Sequence, residues 1–545
     1  MTVQMSMFDS APERSGWIGL GVLVALSSWF FATWGYPIED AAMIFAYSEN
    51  IARGHGIVYV PGGEHVDGAS DLLYTFALAA LIKVGIPVQA GAGLLNGLGL
   101  GAIVLLIFLS WRRPEFEGLW PAFGAVVVFL VTTPVFFLGA SGFGTLAFTA
   151  LIAITAFLAT RTRGGSSLAA LTLLGVSIAI AGMNRIEGFV LAGLIVLAQA
   201  VATKSWRLVL IPGVIAVVIA AVWFIWRWSY FGYPLPNPFY KKSGIYLGSA
   251  IVAFRAVIEY AAPWVPILAA GVLFRRSRRQ AAAYVSLIVI PWAGIWIFLS
   301  NEMNVANRFQ FPLAAVLAIL CATIAVSVLP LLQKFVALRF GAVSAAQRRA
   351  VATVSAAAVF VCVAGPMTLT AYRQWNRLAG LHSATFHQEV ADAIKRSSTG
   401  SELLVTTEAG MVAWRSGLRV VDLYGLNDKR IAHEGPLTPE QIGELDPQIL
   451  YSHLGNPEVL DIPADQIGTR GWEPVNISLF CFAERNGFAP AAVWTRGDLN
   501  DWWLILAKQG TPLLERLRSD LSGVELLGTQ ATTKVSVPAV KACPR

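Results

Sequence analysis

The sequence predicts an α-helical polytopic membrane protein with a soluble C-terminal α/β or α+β domain. Three observations predict it. Of 545 residues, 56% are hydrophobic and 13% are charged, against roughly 25% charged in an ordinary soluble protein, and mean hydropathy is +0.62. Apolar runs recur up to residue 370, many of them near the roughly twenty residues that a bilayer core requires. Beyond residue 370 those runs stop, charge rises, and short strand-like stretches alternate with turn residues. The net charge of +7 is scattered over short loops and forms no stripe, so nucleic acid is not an expected partner.

The candidate spans are 16–34, 91–111, 119–139, 143–160, 167–183, 188–203, 208–227, 251–273, 281–299, 309–332 and 350–370. The first fifteen residues lack a basic start and a small-residue cleavage site, so the first run reads as a retained span rather than a signal peptide. One more apolar stretch, 72–88, is broken by Lys83, Gly85 and Pro87. Cytoplasmic loops are enriched in Lys and Arg. If 72–88 lies along the outer surface, Arg112–Arg113, Arg161–Arg163, Lys204–Arg207, Arg275–Arg279 and Lys334–Arg349 all fall inside. If it crosses, they all fall outside. The reading is therefore a cytoplasmic N-terminus, about eleven spans, a first outer loop over 35–90, a membrane domain over 1–370 and an extracytoplasmic domain over 371–545.

This orientation brings five segments to one face: Glu39–Asp40, "SGFG" (141–144), "NRIEG" (184–188), "YFGYPLPNPFYKKSG" (230–244) and "NEMNVANRF" (301–309). In the tail, "ELLVTT", "LRVVDLY" and "WWLILA" read as strands and 384–397 as an amphipathic helix. Cys321 and Cys362 sit in apolar runs and read as buried thiols. Cys481 and Cys543 can pair in an oxidising compartment.

Charged residues at the edge of a membrane span default to a functional reading. Asp40, with Glu39 beside it, can take a proton from a hydroxyl nucleophile or hold a divalent cation (Mg, Mn or Ca) against a phosphate. Asp40 is equally suited to cap a helix opening at Ala41. His55, Glu64, His65 and Asp67, in a glycine-rich loop, suit sugar hydroxyls or a metal. Arg185 suits a phosphate through its fork of donors. An internal ion pair with Glu187 or with the Glu39–Asp40 pair satisfies it as well. Lys241 and Lys242 follow Asn237 and Tyr240 in an aromatic loop at headgroup depth, and Arg308 follows two asparagines. "GLGLGAIV" (97–104) reads as close helix packing, because no strand precedes it. No phosphate-binding loop or nucleophile elbow is present.

These residues also carry a resemblance. "IEDAAMIFAYSENIARGHGIVYVPGGEHVDGASDLLYTF" resembles the opening of bacterial GT-C glycosyltransferases related to the mycobacterial terminal arabinofuranosyltransferase. "SGFGTLAF", "NRIEG", "YFGYPLPNPFYKK" and "GLRVVDLYGLNDKRIA" are similar to later segments of that group, in the same order. Two positions depart from its pattern: Gly144 replaces an acid, and Glu39 replaces the first of two aspartates. The resemblance implies a GT-C fold, a periplasmic active site and a polyprenyl-phosphate-linked sugar donor, and it favours an arabinofuranose as the sugar. It implies Asp40 as the catalytic acid or base, with Arg185, Lys241, Lys242 and Arg308 meeting the donor phosphate. Glu187, Asn237 and Tyr240 complete the substrate-binding set, and membrane lipids surround it. The expected reaction is inverting transfer to a hydroxyl of a cell-envelope glycan. The alternatives are a lipid-linked sugar transporter or flippase, and a same-fold transferase using a hexose donor or a protein or lipid acceptor.

Overall fold

Helices begin and end where the chain can no longer hydrogen-bond to itself, and in this sequence Gly and Pro set most of those points. The computed structural model describes residues 11–340, 372–373, 375–376 and 385–543, apart from 117–118, 243, 245–246, 300, 302, 456, 463–470, 497–500, 527–528, 534–539 and 542. Helix α1 (Ala11–Trp34) ends before Gly35 and Pro37, and α2 (Glu39–Ala52) leaves at 102° to it. Ile38 occupies the N-cap of α2 without a side-chain bond. Asp40 therefore does not cap a helix at Ala41. It lies with Glu39 inside the first turn, where acids complement the positive end of the helix.

Helix α3 (Leu72–Lys83) has 12 residues, roughly 18 Å and too short to cross. There follow α4 (Val88–Trp111), α5 (Trp120–Thr132), α6 (Val135–Ala140), α7 (Thr145–Arg161), α8 (Leu168–Asn184), α9 (Ile186–Thr203), α10 (Arg207–Phe231) and the short α11 (Asn237–Lys242). The candidate span 119–139 is broken between α5 and α6, because Pro134 disfavours helix at Thr133 and supplies no N–H. Two longer spans are continuous through tightened or widened turns. Ala250–Leu273 takes in most of α12 (Leu247–Ala261) and all of α13 (Val265–Leu273); Arg278–Ile297 contains α14 (Arg278–Tyr284) and α15 (Ile290–Gly294). Among the described residues, the last helix of the membrane part is α16 (Pro312–Phe340).

Among the described residues, six helices are long and apolar enough to cross a membrane, or up to seven if the bent α1–α2 pair is one span. Helices α7 and α8 have 17 residues each, roughly 26 Å and at the lower edge of a spanning length. The expected span 350–370 lies outside the described residues. At the centre, Leu313 through Ala322 of α16 are almost wholly buried. On α10, Leu210, Val214, Val217, Val218, Val222 and Ile225 are exposed, as on a face turned to lipid. The glycine run at 97–104 works by packing. A Cβ on Gly97 would lie 2.0 Å from Ser28 Oγ of α1, and one on Gly99 would lie 2.7 Å from the Leu146 carbonyl of α7.

The C-terminal domain has a five-stranded mixed sheet: β1 (Leu403–Thr406), β2 (Arg419–Asp422), β3 (Ile449–Leu454), β4 (Phe488–Arg496) and β5 (Asp501–Lys508). Their order is β2-β1-β3-β5-β4, with β1 parallel to β2 and β3, and the other pairs antiparallel. Alternate residues face opposite sides. Leu404, Ile449, Tyr451 and Ile505 pack with the helix Phe386–Ser397, while Val405, Leu450, Leu504 and Leu506 pack with the helix Trp472–Arg485. The domain sits on α2 and α11.

Cys481 and Cys543 form a disulfide with a sequence separation of 62, whereas Cys321 is a buried free thiol. Cys362 lies outside the described residues. Closing a loop of that length restricts the unfolded chain by about 4 kcal/mol. Cys543→Ser is expected to lower the thermal midpoint of the C-terminal domain by several degrees in scanning calorimetry. Reducing agent is expected to lower the wild-type midpoint to match it.

Candidate functional site

The 102° bend after α1 tucks the start of α2 beneath the C-terminal domain, and two cavities meet there. The membrane-side cavity, about 400 Å³, is lined by Asp40, Phe143, Arg185, Glu187, Lys242 and Arg308 among others. The second, about 730 Å³, opens between α2 and the C-terminal ends of the parallel strands β1, β2 and β3. Thr407–Ala409, Asp422, Tyr424, Leu454 and Gly455 line it there. Asp40, Lys242 and Leu426 border both cavities. All five segments grouped by the sequence contribute to these walls or touch them, since Ser141 accepts the Ile38 N–H at 3.1 Å.

Asp40 is half-buried, and none of the described residues hydrogen-bonds or ion-pairs with its carboxylate. Glu39 points elsewhere. Its Oε1 accepts the Gly410 N–H at 2.8 Å, and its Oε2 has no hydrogen-bond partner, lying 3.9 Å from His387 Nδ1. Burial, reinforced by the charge of Glu408, pushes the Glu39 carboxyl up to about 8, against the pull of the Met411 and Gly410 amides. His387, whose Nδ1 is 3.0 Å from Tyr451 Oη, is pushed down to about 4 by burial and by His453. At neutral pH both groups are uncharged.

The sign of the Glu39 shift makes a prediction. A carboxyl raised from 4.5 to about 8 favours the fold fully at low pH. That contribution is lost as pH rises between those values, because only the unfolded chain ionises freely. Below pH 6.5 the depressed His387 opposes this slope, so the thermal midpoint is expected to fall from pH 6.5 to about pH 8. Glu39→Gln is expected to flatten that slope.

Arg308 comes from a tightly turned loop. Met303, Ala306 and Asn307 hold left-handed φ of 54°, 54° and 57°. Asn304 Nδ2 donates to Asn301 and Gln310, and its Oδ1 accepts the Phe309 N–H. Non-glycine residues in that region mark strain held by the surroundings. The result fixes the guanidinium 3.5 Å from the Phe143 ring centroid and 4.6 Å from that of Phe309, with Nε donating to the Met303 carbonyl. Among the described residues no carboxylate pairs with it. Arg185 differs. Asp71 accepts from its Nη1 at 2.8 Å and Glu187 from its Nε at 2.9 Å, so the internal ion pair foreseen for Arg185 is present with Glu187, and not with Glu39–Asp40.

Of the other expected site residues, all those that follow except Lys242 lie outside the walls of these two cavities. His55 is exposed, and His65 is exposed and stacked 4.4 Å from the Tyr230 ring. Glu64 Oε1 accepts the Lys429 N–H. Asp67 is bound by Arg227 and lines a separate cavity beside α10. Asn237 is a strut whose N–H donates to the Asp67 carbonyl and whose Nδ2 donates to the Asp428 carbonyl. Tyr240 Oη accepts the Leu235 N–H, and its ring lies 4.3 Å from His433. Lys241 and Lys242 hold their ammonium groups 5.2 and 5.8 Å from the Tyr424 ring, and of the two only Lys242 lines the cavities. Gly144, where the resembled group has an acid, packs so that a Cβ would lie 2.6 Å from the Tyr74 ring. A side chain there has no room.

The sequence reading missed His387, Glu408, Asp422, His453 and Trp472, which line the larger cavity together with Trp503. His453 stacks on Trp503 at 3.8 Å, directly across β3 and β5, and pairs with Glu408 at 3.1 Å. Asp422 accepts the N–H groups of Tyr424, Gly425 and Asn427, and Asn427 Oδ1 accepts the Tyr47 hydroxyl. Burial pushes Asp422 up to about 6. The "VDLYGLND" run was the available signal. Among the described residues, no three His, Cys, Asp or Glu side chains are placed to hold a metal ion.

The chain is similar in fold to ArnT from Cupriavidus metallidurans. In the apo state the identity is 15% and the TM-score 0.55, covering 93% of this chain and 99% of that one. The ArnT structure bound to undecaprenyl phosphate gives 14% identity and a TM-score of 0.53, covering 91% and 99%. The likeness establishes the expected GT-C architecture: membrane-spanning helices with an appended sheet-containing domain. A family model described as a domain of unknown function (DUF8728) matches residues 373–502. No curated protein sequence matches the chain.

Proposed function

We propose that this protein is a membrane glycosyltransferase that moves a sugar from a polyprenyl-phosphate donor to a hydroxyl of a cell-envelope glycan. The observation that carries the reading is the position of Asp40 on the border of both cavities. One cavity has the cations and apolar walls suited to a lipid phosphate, the other the polar and aromatic walls suited to a sugar. The undecaprenyl phosphate bound by the ArnT of similar fold supports a polyprenyl donor. The resemblance to the arabinofuranosyltransferase group makes a pentofuranosyl phosphate the first donor to assay.

In the reaction, Asp40 accepts the proton of the acceptor hydroxyl as its oxygen bonds to the anomeric carbon. The bond from that carbon to the phosphate oxygen breaks with its electron pair, and polyprenyl phosphate departs. Arg308 and Lys242 balance the charge gathering on that phosphate. A single displacement inverts the anomeric carbon. Glu39 is committed to Gly410 through Oε1, so Asp40 is the carboxylate left to hold a divalent cation against the phosphate. Titrating Mg, Mn or Ca into EDTA-stripped protein tests that role.

The basic loops at 112–113, 161–163 and 204–207 support an N-terminus in the cytoplasm and the site on the periplasmic face of a bacterial inner membrane. The disulfide supports the same orientation for the C-terminal domain. The direct test supplies purified protein with a polyprenyl-phosphate pentofuranose and a short glycan, then weighs the acceptor by mass spectrometry. One added sugar supports the proposal. Donor movement across vesicles without any mass increase overturns it in favour of transport.

A further inference from the structure

We propose that the larger cavity is the acceptor subsite and that it is built for a sugar unit bearing no negative charge. The proposal rests on the transferase reading for what the sugar is there to do, and on the cavity itself for what binds. Its walls carry the acids Asp40, Glu408, Asp422 and Glu473, with Glu39 uncharged beside them, against one fixed cation among the described residues, Lys242, at the border with the other cavity. The two histidines that face it, His387 and His453, are tied to Tyr451 and Glu408. A phosphate or carboxylate entering this space meets acids on several sides.

A second observation points to a ligand. Glu39 lines the cavity at 8% exposure, and its Oε2, itself shielded from solvent, has no hydrogen-bond partner among the described residues. A buried polar atom left unpaired is costly unless a ligand satisfies it. A sugar hydroxyl supplies that bond once the carboxyl group turns toward the cavity, and a Glu39 kept uncharged by burial can act as donor or acceptor toward it. The aromatic content fits the same ligand class. Trp503 with His453 and Trp472 with Tyr424 are stacked pairs in the walls, at 3.8 and 4.2 Å. Such rings offer apolar faces to the C–H side of a sugar while the acids take its hydroxyls. The cavity also opens at the carboxyl ends of parallel strands, where side chains from several loops converge on one point.

The test measures binding alone, with full-length protein in nanodiscs and four octyl pyranosides of one sugar: neutral, 6-carboxylate, 6-phosphate and 2-amino. Tryptophan fluorescence and calorimetry report affinity. The neutral and amino glycosides are expected to bind at least about tenfold more tightly than the two anionic ones. Trp472→Ala is expected to weaken neutral binding, and the double variant Glu408→Gln, Glu473→Gln to narrow the gap to the carboxylate. Because the first of these acids pairs with His453, Glu473→Gln alone, on an exposed side chain, serves as the variant that leaves the fold intact and is expected to narrow the gap in part. Equal affinity for neutral and anionic glycosides overturns the proposal, as does the absence of binding by all four. Transfer is assayed separately. Selective binding without sugar transfer defeats the transferase reading and leaves the subsite standing. Transfer whose KM is the same for neutral and carboxylate acceptors defeats the subsite and leaves the transferase reading standing.

Discussion

Asp40→Asn is expected to reduce sugar transfer by about 10²- to 10⁴-fold, the range over which a positioned general base contributes. The acceptor KM is expected to change little, because the amide keeps the shape and most of the polarity of the carboxylate while losing its basicity. The opposing structural role is measurable. As a first-turn acid of α2, Asp40 interacts with the helix dipole, an effect of about 0.3–1 kcal/mol. A purely structural Asp40 therefore predicts a small fall in thermal midpoint with transfer retained. Full transfer by Asp40→Asn, assayed in membranes by acceptor mass, would remove it as the base. Glu39→Gln separates the two neighbours. Glu39 is held by Gly410 and turned toward the C-terminal domain, so its replacement is expected to act on acceptor affinity and on the pH dependence of stability. It is not expected to reproduce the loss of chemistry at Asp40.

The convergence of the five polar segments was legible because two local signals agree on it: runs of apolar residues mark the helices, and the Lys and Arg loops order them. Packing at 97–104 was legible for the same reason, since small residues four apart on an apolar helix have one common use. What sequence hid was pairing across distance. Nothing near Arg185 says that Asp71 neutralises it from 114 residues away, or that Arg227 takes Asp67 from 160 away. Those two ion pairs turn candidate substrate contacts into internal struts. Glu39 was misread because its environment is made by Gly410, 371 residues on, whose missing Cβ lets the two chains touch.

The sheet shows the same division. Strands β1, β2 and β5 carry the β-branched and aromatic runs that mark a strand. Strand β4 was passed over because Pro490 interrupts it, and the structure explains how the proline is tolerated: β4 is an edge strand with a register shift between Pro490 and Ala492. The larger cavity depended on β3, whose "YSHL" run has little strand character of its own. With β3 unassigned, His453 and its contact with Trp503 had no place in a site.

The comparison of the two buried arginines gives the sharpest separation of a binding role from a structural one. Arg308→Met is expected to lower transfer by about 10²- to 10³-fold, as loss of one preorganised group facing developing negative charge does. The thermal midpoint is expected to stay near the wild-type value. The reason lies in its partners: two aromatic rings and one backbone carbonyl, none of which is left charged and unpaired when the guanidinium is removed. Methionine fills the volume against Phe143 and Phe309. Arg185→Met makes the contrasting case, because it strands Asp71 and Glu187 in a buried setting. Breaking such a network costs about 3–5 kcal/mol, so its midpoint is expected to fall and its loss of transfer to follow the loss of folded protein. Asp71→Asn in the Arg185→Met background is expected to recover part of that stability, whereas no second substitution among the acids of the cavity is expected to rescue Arg308→Met. If Arg308→Met instead melts early and keeps its specific activity per folded molecule, the guanidinium is a structural plug and the donor phosphate is held by Lys242 without it.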